Sequence, residues 1–106
     1  DLGYPTTLYE GVTVGHGAIV HGATVRANTL IGMRAVLLNG VVVGENCIVA
    51  AGSLLTAGKH FPPGHLIMGT PARVVRLLTE EEIEQNRHAA QEYVEHAREF
   101  KKTHVP

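Results

Sequence analysis

Aliphatic side chains return every six residues along the first half of this chain, and that interval restricts the fold more than any other feature. Leu8, Val14 and Val20 are followed by Val25, Ile31, Leu37, Val43, Val49 and Leu55, so all nine positions of the series are Leu, Ile or Val. A second series, four residues after each, holds Val12, Ala18, Thr24, Thr29, Ala35, Val41, Cys47 and Ser53, all small or β-branched as a narrow interior requires. An α-helical face recurs about every 3.6 residues, and the glycine and β-branched content also opposes helix. Short strands joined by tight corners remain. Three hexads close one triangular turn, so nine hexads predict three coils whose strands stack at about 4.8 Å and satisfy each other's backbone groups. Between Val20 and Val25 the interval is five, so one corner must differ, and it lies beside two histidines.

The repeat gives way after Leu55 to Lys59-His60-Phe61-Pro62-Pro63-Gly64, where two prolines remove strand donors and the glycine permits a turn, so the coil is expected to end there. His65-Leu66-Ile67-Met68 predicts one more short strand, followed by a Gly69-Thr70-Pro71-Ala72 turn and an apolar Val74-Val75 pair. Thr79 opens a helix: with Glu82 it forms a capping box, and Glu80 and Glu81 place negative charge at the positive end of the helix dipole. Ile83, Ala90, Val94, Ala97 and Phe100 form an apolar stripe for the coil or a neighbouring subunit, with Glu84, Arg87, Glu92, Glu95 and Arg98 solvated. The organisation expected is a coil and exit loop over 1–78, a helix over 79–102 and a fraying tail over 103–106.

A length of 106 residues with 44% hydrophobic content suits one domain, and the scarcity of aromatic residues (5%) suits a thin coil better than a conventional core. Nine basic and ten acidic residues are mixed along the chain, which argues against a nucleic-acid groove or a membrane-binding patch. The single cysteine, Cys47, excludes an intrachain disulfide and fits a reducing compartment. No run of about 18 apolar residues is present, and the start Asp1-Leu2-Gly3-Tyr4-Pro5 lacks the features of a signal peptide, so a soluble cytoplasmic protein is expected.

Chemistry must come from polar residues that the repeat does not require, and His16 and His21 stand out. A hexad corner tolerates an imidazole without needing one, so two surface histidines and two metal ligands are both open readings. Five extended residues span up to about 17 Å, so the rings occupy successive corners and need not meet on one ion within a chain. Packing three prisms about a threefold axis would bring different corners of neighbouring subunits together, and tri-histidine coordination leaves an open position for water.

The residues Gly3-Tyr4-Pro5-Thr6, Val14-Gly15-His16 to His21-Gly22, Ile31-Gly32-Met33 and Gly69-Thr70-Pro71-Ala72 together resemble the γ-class carbonic anhydrase family. Thr79-Glu80-Glu81-Glu82-Ile83 resembles the start of that family's terminal helix, and the short repeat holding His21 is similar too. The resemblance implies a left-handed parallel β-helix of hexapeptide repeats, a triangular prism, with a C-terminal α-helix. It also implies a homotrimer with metal sites at the subunit boundaries, holding zinc, or alternatively cobalt or iron. His16 and His21 would be ligands, His21 alongside an upstream histidine of its own subunit and His16 reaching the ion shared with the adjacent one. The implied activity is that of a lyase: reversible hydration of carbon dioxide to bicarbonate by metal-bound hydroxide, the metal lowering the pKa of its water to about 7. Tyr4, near the subunit boundary, is a candidate site residue on the same ground.

The family's third histidine normally precedes the segment matching Asp1 to Thr6, and its earlier coils carry an arginine, an aspartate and a glutamine around the site. Neither is included in this chain, which reads as an N-terminally truncated member. An acidic loop credited with proton transfer in the family is not visible either. Asn39, beside Gly40, reads as a corner residue accepting a left-handed backbone, with a site role as the lesser reading. His60, His65, His88, His96 and His104 read as ordinary surface residues, and Cys47 as an inert packing residue. Two other functions are carried beside the first: a non-catalytic trimeric scaffold, and a hexapeptide acyltransferase using acetyl-coenzyme A, which usually adds an acceptor-binding loop not seen here.

Overall fold

In the computed structural model, residues 3–104 are described, with side chains through residue 92. The first three hexads form β1 (Thr7–Leu8), β2 (Thr13–Val14) and β3 (Ile19–Val20), one strand on each side of a triangle. The next turn repeats them as β4 (Thr24–Val25), β5 (Leu30–Ile31) and β6 (Val36–Leu37), and the third as β7 (Val42–Val43), β8 (Ile48–Val49) and β9 (Leu54–Leu55). Every strand pairs in parallel with its counterpart one turn away, giving the sheets β1-β4-β7, β2-β5-β8 and β3-β6-β9. This is a three-sided parallel β-helix, as the interval of six demands.

The coil does not stop at Leu55. β10 (His60–Phe61) pairs with β7, and β11 (His65–Gly69) pairs with β8, so the ladder continues along two more sides. Phe61 and Ile67 are buried and continue the inward series at the same interval of six. The prolines interrupt nothing because Pro62 and Pro63 follow β10 and occupy a corner, where no ladder donor is needed. β12 (Ala72–Leu77) then folds back antiparallel on β11 and ends the sheet.

Val25, Ile31, Leu37, Val43, Val49 and Leu55 are fully buried, whereas Leu8 in the first turn remains 47% exposed. The second inward series holds, with one correction. At the shortened repeat the buried residue is Ala23, and Thr24 lies outward in β4, because the lost residue is taken from the corner. That corner has three residues, His21 to Ala23, where the next turn has four, Leu38 to Val41. Thr7 accordingly lies against Thr24, 17 positions on, while Thr24 lies against Val42, 18 positions on.

Turning each corner requires a left-handed residue, and positive φ recurs at Gly11, Gly17, Gly22, Asn28, Arg34, Gly40, Asn46, Gly52, Gly58 and Gly64. Asn39 was the residue expected to bend in this way; the bend belongs to Gly40. Two asparagines in the series have a further use. Asn28 Nδ2 donates to Asn46 Oδ1 (2.9 Å) and to the carbonyl of Ile83 (3.1 Å) in α1 (Glu80–His104), so the corner grips the helix.

The helix replies through Asn86, 2% exposed, whose Nδ2 donates to the carbonyls of Asn28 (3.1 Å) and Cys47 (3.0 Å). Its seat is therefore polar where an apolar stripe was expected: Ile83 and Ala90 are only half-buried, and the side chains of Val94, Ala97 and Phe100 lie outside the described residues. The capping box is formed as predicted, Thr79 N donating to Glu82 Oε1 (2.9 Å) and Glu82 N to Thr79 Oγ1 (3.2 Å). Arg76 adds a bidentate pair to the Glu82 carboxylate at 2.8 and 2.9 Å.

Two predictions follow from this seating. Replacing Asn86 by Ala takes a donor from the carbonyls of Asn28 and Cys47, of which Cys47 keeps the Leu30 amide, and urea unfolding is expected to show a loss of about 1–2 kcal/mol, against almost none for Gln85→Ala. The Arg76 guanidinium, then the Thr79 amide, hold the Glu82 carboxyl down from 4.5 to about 2. Its stabilising contribution is complete above 4.5 and is lost as pH falls to about 2. A carboxyl-carbon NMR titration should place the Glu82 midpoint near the lower value, and Arg76→Gln should return it toward the ordinary glutamate range.

Candidate metal centre

β3 is only two residues long, and the candidate histidines flank it, His16 on the corner before Gly17 and Ala18 and His21 directly after Val20. His16 lies on the corner between β2 and β3, and His21 on the shortened corner between β3 and β4. Both are exposed, on neighbouring corners of the first turn.

The missing corner residue shapes the surroundings of His21. Gly22 N has no regular partner across the tight bend, and Thr6 Oγ1 accepts from it at 2.9 Å while donating to the carbonyl of Val20 at 3.3 Å. Thr6 thereby anchors the preceding segment, and Tyr4 is laid over the corner. A Cβ on Gly22 would strike Asn39 Oδ1 and come within 2.9 Å of both the Tyr4 Cβ and its carbonyl oxygen, so only glycine fits beneath them. Asn39, one turn further on, meets the imidazole itself: Asn39 Oδ1 lies 2.8 Å from His21 Nδ1. Because an amide oxygen only accepts, the contact favours the neutral tautomer with its proton on Nδ1, which would leave the Nε2 lone pair for a ligand. Three of the four site candidates, Tyr4, His21 and Asn39, are thus brought together.

His16 stands apart from them. It borders an open cavity of about 620 Å³ whose other walls are Gly17, Met33, Arg34, Ala51 and Gly52. Its carbonyl accepts from Arg34 N at 3.0 Å, which ties it to the turn below.

An imidazole with one nitrogen fixed by an amide and the other open suits zinc, cobalt or iron. The chain contributes such donors singly. Among the described residues no three His, Cys, Asp or Glu side chains are grouped so as to hold a metal ion, so donors from outside them are required for a complete site. The remaining candidates keep their plain readings. His65 Nδ1 is bonded to the carbonyl of Pro63 (2.9 Å), and His88 lies 3.9 Å from Glu84. The side chains of His96 and His104 are outside the described residues. Cys47 is buried and donates to the carbonyl of Pro62 (3.2 Å), with burial pushing its thiol pKa up, which removes thiolate reactivity. Thr6 and Arg34 were not singled out from sequence. Arg34 could have been, since it occupies a place in the left-handed series otherwise given to glycine or asparagine.

Residues 22–57 match the family described as Bacterial transferase hexapeptide (six repeats). Over 90 residues the chain is 44% identical to Gamma carbonic anhydrase 2, mitochondrial, of Arabidopsis thaliana, covering 85% of this chain and 32% of the relative. It is 42% identical over 88 residues to Carnitine operon protein CaiE of Escherichia coli K12, covering 83% of this chain and 45% of the relative. A crystal structure from Bacillus cereus, of a protein named only provisionally as an acetyltransferase, superposes with a TM-score of 0.85 at 35% identity, covering 92% of this chain and 63% of that one. The period, the three-sided coil and these likenesses define a hexapeptide-repeat protein of the left-handed parallel β-helix class. Within that class the chain belongs to the γ-class carbonic anhydrase-like family. It spans less than half the length of the two curated relatives.

The His21–Asn39 contact gives a direct expectation. At alkaline pH, long-range nitrogen–proton NMR should find His21 protonated at Nδ1, and Asn39→Ala should release it to a mixture of tautomers. An unchanged spectrum in the variant would show that another group sets the proton.

Proposed function

We propose that the chain is the C-terminal part of the coil, with the terminal helix, of a γ-type carbonic anhydrase-like protein that interconverts carbon dioxide and bicarbonate at metal sites between the subunits of a homotrimer. The observation that carries this reading is the anchored His21 imidazole. Its Nδ1 is committed to Asn39 at 2.8 Å, leaving Nε2 for a ligand, and His16 lies on the corner before the same short strand. In the trimer His21 serves one site of its own subunit and His16 the site shared with the neighbour. Asn39 orients the His21 ring, and Tyr4, held by Gly22 and Gly40, walls the same corner. Zinc, or cobalt or iron in its place, supplies a water ionised near neutral pH for attack on carbon dioxide. The buried, unpaired Cys47 fits a reducing compartment, and the cytoplasm is the location proposed; no helix among the described residues is long and apolar enough to cross a membrane.

A second reading, a hexapeptide acyltransferase, is favoured by the likeness to the Bacillus cereus structure. A third, a non-catalytic trimeric scaffold, needs only the coil and helix. The deciding experiment measures metal by elemental analysis, oligomeric mass by light scattering and carbon dioxide hydration by stopped flow. It uses the protein with whatever residues its gene encodes before Asp1, compared with His16→Ala and His21→Ala. The expected result is about one metal per chain, a severe loss of metal and activity in either variant, and an intact trimer throughout. Metal content indifferent to both substitutions would overturn the proposal, and acetyl-coenzyme A turnover without metal would favour the acyltransferase.

A further inference from the structure

A side chain on a left-handed residue crowds the following carbonyl, which is why glycine dominates the corner series. Asparagine accepts that backbone more readily than other residues, and Asn28 and Asn46 put their side chains to use against each other and the helix. Arg34 is the third exception, at φ 59°. In its column the equivalent residues one turn before and one turn after are Gly17 and Gly52, so the fold itself would be served by glycine.

The side chain of this arginine is not tied down by any described group of the coil. Arg26 lies over the Tyr9 ring at 5.4 Å, Arg76 pairs with Glu82 and Arg87 with Glu84. The Arg34 guanidinium has no hydrogen bond or ion pair among the described residues. Its stem leans toward the first turn: a Cβ on Gly17 would meet Arg34 Cγ at 3.2 Å. Arg34 itself lines the cavity of about 620 Å³ bordered by His16, where Gly17 and Gly52 leave space and Met33 gives an apolar wall.

We propose that Arg34 is an oxyanion-binding residue, its guanidinium closing on a small planar carboxylate-like anion held beside His16. The fork of N–H donors matches the paired oxygens of such an anion, which a lysine would contact as a point charge. On the carbonic anhydrase reading, on which only the identity of the natural ligand rests, that anion is bicarbonate, and Arg34 positions it for the reverse reaction.

Formate, titrated calorimetrically at constant ionic strength, is the probe, with metal content and oligomeric mass measured on the same samples. Arg34→Gly is the principal variant because glycine relieves the backbone, so the fold should be retained. The expected result is about tenfold or greater weakening in Arg34→Gly and an intermediate loss in Arg34→Lys, with metal content and trimer unchanged. Equal formate affinity in the wild type and Arg34→Gly would overturn the proposal, as would absence of binding to the wild type. Dissociation of the trimer in Arg34→Gly would also overturn it, making Arg34 half of an ion pair between subunits. Arg34-dependent formate binding in protein that holds no metal would support the anion site and remove the carbonic anhydrase reading. Metal held through His16 and His21 with formate indifferent to Arg34 would do the reverse.

Discussion

The structure depends on hydrogen bonds between strands whose paired residues lie 17 or 18 positions apart. No strand of the coil proper before β11 exceeds two residues, and none could persist alone; each exists because its backbone donors and acceptors meet those of the turn above or below. Stacking of this kind requires every corner to be turned in the same small number of residues. That is why a left-handed residue returns at the interval of six from Gly11 to Gly64, with one interval of five.

The departures from that rule are where chemistry collects. Shortening one corner by a residue leaves an amide to be satisfied, which draws in Thr6, lays Tyr4 over Gly22 and sets the His21 ring against Asn39. Placing asparagine at two corners provides the Asn28 amide, braced by Asn46, that seats the helix, and placing arginine at a third puts a cation with no ion pair among the described residues beside His16. A coil made entirely of glycine corners would stack as well and would offer none of these groups.

Much of this was legible in the residues. The interval of six reveals the coil because every inward side chain obeys the same spatial constraint, and the capping box is local, so Thr79 and Glu82 disclose it directly. The side formed by β10 was missed, and the expected strand at His65–Met68 was not joined to the coil, because proline was read as a strand breaker, although Pro62 and Pro63 stand at a corner where no donor is needed. Ala23 was missed because an interval of five does not say which residue is lost. The pairing of His21 with Asn39 joins residues one turn apart, and its register depends on how the short corner closes. Asn86 drew no notice because its partners are main-chain carbonyls, which no side-chain pattern records.

Both histidines belong to the first turn, the one in which Leu8 is left half-exposed while the equivalent residues of later turns are sealed. In a solenoid each turn is supported only by its neighbours, so what engages one turn is felt in the stacking of the next. Whatever engages His16 or His21 therefore acts on a local folding equilibrium as well as on a surface. Occupancy there stabilises this turn by mass action, so that ligation and local folding are linked.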